Sequence, residues 1–253
     1  MFADDIVLCS ETKGEAEEQL ESWRNALERR GMRVSRAKTE YLVLNGRDGD
    51  GDTIRMEGVE VKRVHDFKYL GSTVQSDGNC NREVKKRVQA GWNGWRKLTE
   101  IMCDKKLSGE TKGKIYKTAV RPALLYGLET VATTKKHEAE LEVAELRMLR
   151  WSLGVTRLDR IPNNNIRDTV RIAKFGAKQR EARLRWFGHI SRRDDEYIGK
   201  RVMNMDVPGR RKQGRPKRRY MDVIEDDLRL LGMRKEEAAD RHVWRRRIRC
   251  GDP

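Results

Sequence analysis

The hydrophobic period of this chain changes near residue 77, and that change limits the folds open to it more than any other feature. Before it, short apolar runs alternate with turn formers. "KTEYLVLN" reads as a strand, "GRDGDGD" as a turn whose glycines permit positive φ, and "TIRMEGVEVKRV" and "HDFKYLGSTV" as two or three further short strands. One helix precedes them. Thr12 and Glu15 have the spacing of a capping box, Ala16, Leu20, Trp23 and Leu27 form a helical stripe, and Gly31 stands where a helix ends. The apolar run Ile6-Val7-Leu8 reads as a strand ahead of that helix. From Asn79 onward the pattern is helical almost throughout, with segments near 80–104, 109–120, 135–153, 165–175, 178–190, 219–231 and 235–249. Asn165 and Asp168 have the form of a capping pair, and Gly232 that of a stop. A β-α-β-β unit followed by helices implies an α+β fold that is mostly α.

Charge follows the same division. The 253 residues carry a net charge of +16, but residues 1–76 carry −3 and residues 77–253 carry +19. A polyanion is the partner expected of the second part. Its densest stretch is "VPGRRKQGRPKRRY", where Arg210, Arg211, Lys212, Arg215, Lys217, Arg218 and Arg219 stand with no acid among them. Glycine, proline and charge of this density suggest an extended arm that binds phosphate in a salt-sensitive way. Its Gly214-Arg215-Pro216 core is similar to an AT-hook, while a nuclear-localisation patch or a solvated linker fits the same residues. Cys9, Cys80, Cys103 and Cys250 are far apart with no CxxC pair, so a reducing compartment is expected rather than a disulfide framework, and the basic patch makes the expected location intracellular and nuclear. No run of 18 apolar residues occurs, and no membrane partner is expected.

Two adjacent carboxylates, Asp4 and Asp5 in "FADDIVL", repel unless both are solvated or a cation sits between them. Mg²⁺ is such a cation, and a solvent-facing turn is the plainer alternative. In "RLRWFGHI", Trp186, Phe187 and His189 could stack on bases if exposed, but their spacing with Leu184 and Ile190 suggests core. Trp92 and Trp95 in "GWNGW" invite the same reading. His189 has no partner at metal-ligand spacing.

"FADDIVL", "GMRVSRAKTEYLV", "FKYLGSTV" and "LLYGLET", in this order and at these spacings, together with "RLRWFGHISRRDD" and "GRPKRRYMDVIEDDL", resemble the later part of the reverse transcriptases of non-LTR (LINE-like) retrotransposons. The likeness covers nearly the whole chain. It implies a partial palm at 1–76, a helical thumb-like region at 77–155, and a basic helical C-terminal region at 156–253 with its arm at 208–219. It implies that Asp4 and Asp5 are catalytic, metal-binding aspartates for Mg²⁺ and that Lys38 stands beside the nucleotide site, where a strand-edge lysine is the alternative. It further implies that Tyr69, Leu70 and Gly71 form a primer grip, although Leu70 fits a hairpin core as well, and that the partner is RNA or DNA as a template-primer duplex. The family's third metal-binding aspartate lies upstream of such a segment. The expectation is therefore a nucleic-acid-binding fragment with weak or absent Mg²⁺ binding and no polymerase activity alone, with the question of a partner chain that supplies the missing palm left open. A domesticated DNA- or RNA-binding protein, or a product that folds poorly, are the alternatives.

Overall fold

A computed structural model describes residues 4–44, 53–204 and 218–253. The chain is mostly helical with small β-ladders, an α+β fold, and it forms two compact units, residues 1–83 and 84–253.

In the first unit, α1 (Lys13–Glu28) begins where Thr12 Oγ1 accepts the Glu15 N–H at 3.3 Å. The reciprocal half of the box shifts by one residue, because Glu15 Oε2 accepts the N–H of Glu11 instead. Gly31 ends the turn at φ +78°, and the Met32 N–H closes onto the Leu27 carbonyl. The ladders are short. β1 (Glu40–Leu42) pairs in parallel with β4 (Lys62–Val64), β2 (Arg55–Met56) makes a hairpin with β3 (Val59–Glu60), and β5 (Asp66–Tyr69) makes another with β6 (Ser72–Gln75). Both hairpins turn on two positive-φ residues, Glu57-Gly58 and Leu70-Gly71, the mirror-image turn that suits the right-handed twist of strands. The helix is fastened to the first hairpin by acids: Glu17 accepts the Arg55 N–H at 2.7 Å and Glu21 the Glu57 N–H at 2.6 Å. Leu20, Ile54, Met56 and Val61 form the core, with Leu8, Ala16, Val34 and Tyr41 at its edge. The run Ile6-Val7-Leu8 is not a strand; Val7 is exposed and Leu8 reaches that edge as irregular chain.

The second unit takes in most of α2 (Asn81–Lys97), then α3 (Thr99–Cys103), α4 (Gly109–Ile115), a π-helical turn at Tyr116–Val120, α5 (Arg121–Leu125), α6 (Lys135–Ser152), α7 (Asn163–Val170), α8 (Phe175–Ser191), α9 (Ile198–Asn204), α10 (Tyr220–Leu231) and α11 (Arg241–Ile248). Asn165 and Asp168 are not a capping pair: α7 starts at Asn163, two residues before Asn165, with Pro162 at its N-cap in extended backbone. It ends at Arg171 in the left-handed region, short of the expected 175. Gly232 caps α10 at φ +59°.

One apolar cluster joins Trp95, Tyr116, Leu124, Leu141, Met148, Leu149, Val170 and Phe175, and a second joins Leu184, Phe187, Ile224, Leu228 and Trp244. Two close approaches hold them. A Cβ on Gly113 would sit 1.8 Å from the Val170 carbonyl oxygen, so α4 meets α7 backbone to backbone. A Cβ on Gly188 would sit 2.4 Å from Trp244 Nε1, so α8 accepts the indole of α11 against its own main chain.

Charge is buried here as well. Arg183, 1% exposed, grips Asp227 with Nε at 2.8 Å and Nη2 at 3.1 Å, and gives Nη1 to Thr133 at 2.9 Å. Glu145, fully buried, accepts the Tyr116 hydroxyl at 2.9 Å and lies 3.5 Å from Arg121 and 3.9 Å from Arg167. Burial pushes its carboxyl above the ordinary value despite those two guanidiniums. Among the described residues all four cysteines are free thiols, and no helix is long and apolar enough to cross a membrane.

Candidate nucleic-acid interface

The candidate residues of the first unit stand on different local elements. Asp4 and Asp5 are exposed, Asp5 in an isolated β-bridge. Lys38 is exposed in the one-turn 3-10 helix Arg36–Lys38, which hands the chain to β1; it is not a strand-edge residue. Tyr69 is half-buried and stacks on Phe67 with ring centroids 6.4 Å apart. Leu70 is 38% exposed at the hairpin tip, which overturns a core role: its φ of +47° turns the side chain outward. Gly71 beside it takes φ +82° without cost. Among the described residues no three His, Cys, Asp or Glu side chains gather to hold a metal ion. Asp4 and Asp5 are solvated carboxylates, and among the described residues no third His, Cys, Asp or Glu gathers with them as a donor.

The basic arm divides. Arg210, Arg211, Lys212, Arg215 and Lys217 lie outside the described residues. Arg218 pairs with Asp226, and Arg219 precedes α10, its N–H donated to Asp222 Oδ2 at 2.8 Å.

The second unit carries an open groove of about 820 Å³ lined by α8, α11 and the α5 end. Helical spacing builds it. On α8, Leu184, Phe187 and Ile190 are buried, while Arg185, Trp186 and His189 face outward. Trp186 and His189 thus leave the core that their spacing suggested; Phe187 alone of the three stays in it. On α11, Trp244 and Ile248 are buried and Arg241 and Arg245 stand one turn apart on the open side. Asp240 caps this helix by accepting the His242 and Val243 N–H groups at 2.8 and 3.0 Å. Trp244 fixes the crossing: Nε1 donates to the Leu184 carbonyl at 2.9 Å, and its ring meets Phe187 at 5.9 Å.

Arg192 and Arg193 complete the basic wall. Arg192 donates to the Ala238 carbonyl at 2.6 Å; partial burial and the like charges of Arg241 and Arg245 push its guanidinium down from its ordinary value. Arg193 lies over the Tyr197 ring at 5.4 Å. Arg241 and Arg245 have no ion-pair partner among the described residues. Glu129 is the only acid on this groove among the described residues. A second hollow of about 440 Å³ shares Arg185 and Arg245 with the first and adds His242, Arg246 and Arg249. The signal that marks α11 in the sequence is "RHVWRRRIR", where an apolar pair at i, i+4 leaves six basic residues, counting His242, on the remaining faces.

Comparison with known proteins gives three relatives. The chain is 25% identical over 205 residues to a transposon-derived protein of Caenorhabditis elegans, spanning 77% of this chain and 71% of that one. It is 23% identical over 185 residues to the RNA-directed DNA polymerase from mobile element jockey of Drosophila melanogaster, and 23% over 188 residues to that of Drosophila funebris. These matches span 70% and 71% of this chain but only a fifth of each polymerase. No family model and no solved structure matches it.

Proposed function

We propose, for a chain related to the reverse transcriptases of retrotransposons, that it holds nucleic acid through the arginine groove of its helical unit and does not extend a primer by itself. The observation that carries this reading is the placement of Arg192, Arg193, Arg241 and Arg245 around one groove, with a single acid there among the described residues. Phosphate neutralisation by such residues releases counterions, so binding weakens steeply with salt. The bound form is a template-primer duplex of RNA or DNA, and the setting is nuclear. Tyr69, Leu70 and Gly71 stand on a hairpin tip from which backbone reaches a primer strand. The basic arm adds further phosphate contacts.

Polymerisation is assigned elsewhere because Asp4 and Asp5 are solvated and no third donor accompanies them among the described residues. The same observation favours a second reading, a domesticated DNA- or RNA-binding protein in which those aspartates have no role. Fluorescence anisotropy of the full chain with a labelled RNA–DNA duplex at several salt concentrations, run beside primer extension with Mg²⁺, tests both. Binding whose log-log salt slope falls by about two in Arg241→Ala/Arg245→Ala is expected. Extension that disappears in Asp4→Ala would overturn the assignment. Asp4→Lys/Asp5→Lys separates the two readings: a Mg²⁺-dependent part of duplex binding that is lost with it belongs to the first, and binding kept or strengthened with nothing lost belongs to the second.

A further inference from the structure

Two stretches that lie some sixty residues apart converge on the groove, and together they present more than charge. "LLYGLET" supplies Leu125, Tyr126 and Glu129, and "RLRWFGHISRRDD" supplies Arg185, Trp186, His189, Arg192 and Arg193. Gly127, at φ +72°, turns the first stretch so that a 3-10 turn follows Tyr126 directly. Trp186 is 37% exposed and lies over His189, with ring centroids 5.7 Å apart and planes 27° from parallel. Tyr126 is 51% exposed and holds the Arg87 guanidinium over its ring at 5.2 Å. Aromatic faces left half open beside the Arg241 and Arg245 guanidiniums suit a ligand that carries both a π-face and a phosphate.

We infer that this groove binds unpaired nucleotides of a single strand, a base stacking at Trp186 and His189 while the adjoining phosphates lie on Arg241 and Arg245. The inference rests on the proposed nucleic-acid binding and adds to it the form of nucleic acid that the site selects. A paired base keeps its faces against its neighbours in the duplex and cannot offer one to an indole; an unpaired base can. The volume of about 820 Å³ suits a segment of one or a few unpaired nucleotides, so a duplex held by the same arginines lies across the rim with its single-stranded overhang in the groove. An acidic peptide would satisfy the arginines but would leave the aromatic faces unused.

The test uses the full chain and three labelled probes of matched length at one salt concentration: a single-stranded oligothymidylate, the same strand with abasic sites, and a blunt duplex. Trp186→Ala is expected to weaken the single strand about 10-fold, Trp186→Phe to restore most of that loss, and both to leave the abasic strand and the duplex within about twofold of the unsubstituted chain. Arg241→Ala/Arg245→Ala is expected to weaken all three probes and to lower the salt slope. Trp186 is a surface residue, so thermal melting of Trp186→Ala should match the unsubstituted chain and separate stacking from misfolding. Equal loss on all probes in Trp186→Ala, or no loss on any, would overturn the inference and leave general nucleic-acid binding standing. Displacement of the strand by polyglutamate at matched charge would assign the groove to acidic peptide instead. If the unsubstituted chain binds none of the probes, the proposed function fails and this inference fails with it.

Discussion

The two units of this protein divide motif and mass between them. The first carries the segments that resemble a polymerase palm, yet among the described residues it buries only Leu20, Ile54, Met56 and Val61 as apolar core. The second, which carries none of the segments whose sequence resembles a palm, buries twenty-six apolar residues and two ionic networks among the described residues. Three separate two-stranded ladders are individually marginal in water, so the first unit depends on α1 and its acid-to-backbone bonds to stay formed. The lesson is that a recognisable chemical motif and a well-built binding surface need not share a unit. Asp4, Asp5 and Lys38 stand on exposed, thinly supported chain, whereas Arg241 and Arg245 stand on a helix pinned by Trp244.

The contrast can be broken most severely at the ionic network of the second unit. Glu145→Ala leaves the Arg121 and Arg167 guanidiniums buried without their shared carboxylate and is expected to cost about 3–5 kcal/mol, read as a lower urea midpoint followed by tryptophan fluorescence. A loss under about 1 kcal/mol would mean that water reaches the network. In the first unit, Leu20→Ala should cost about 2–4 kcal/mol, because the side chain faces the small core of Ile54, Met56 and Val61. Faster hydrogen exchange of the amides in α1, β2 and β3 checks it.

Asp252 sharpens the comparison through pH. Burial raises its carboxyl, but the Ala173 N–H at 2.8 Å and the Arg121 guanidinium at 2.9 Å outweigh this and hold it below its ordinary 3.8. The native state therefore favours the ionised form, and the stabilisation is complete above the ordinary value and lost as pH falls through the lowered one. Asp252→Asn should cost about 1–2 kcal/mol at pH 7 and remove that part of the acid sensitivity, measured as urea midpoints from pH 7 down to pH 3. The smallest effect is expected at Leu70. Leu70→Gly relieves a left-handed backbone and should raise the thermal stability of the first unit by about 1 kcal/mol. Weaker duplex binding by the same variant would show that the leucine serves the hairpin tip in contact rather than merely tolerating its position.

Much of this fold is legible in local signals. Thr12, Gly31 and Gly232 mark helix ends by chemistry that acts within one turn, and the change of period near residue 77 separates the ladders from the helices. What sequence could not place depends on distance. Trp186, Phe187 and His189 look alike as aromatic residues on a helix, but successive positions differ by about 100° around the axis, and only Phe187 meets Trp244. The groove exists because Gly188 admits that indole and because Tyr126 arrives from a remote turn; neither contact has a local signature. Helix α9 has no marked apolar stripe to announce it, with Ile198 and Val202 exposed. Leu70 at a positive φ could not be read either, since Asn or Gly is the usual occupant of that position.

Nucleic acid is proposed to be held mainly by the arginine groove, with the hairpin tip and the basic arm as lesser contacts. Ultraviolet cross-linking of the full chain to a 4-thiothymidine oligonucleotide, with the modified peptides mapped by mass spectrometry, addresses this directly. Adducts are expected on peptides from 175–193 and 241–249, led by Trp186. Adducts confined to the peptides that hold Asp4, Lys38 or Tyr69 would contradict it.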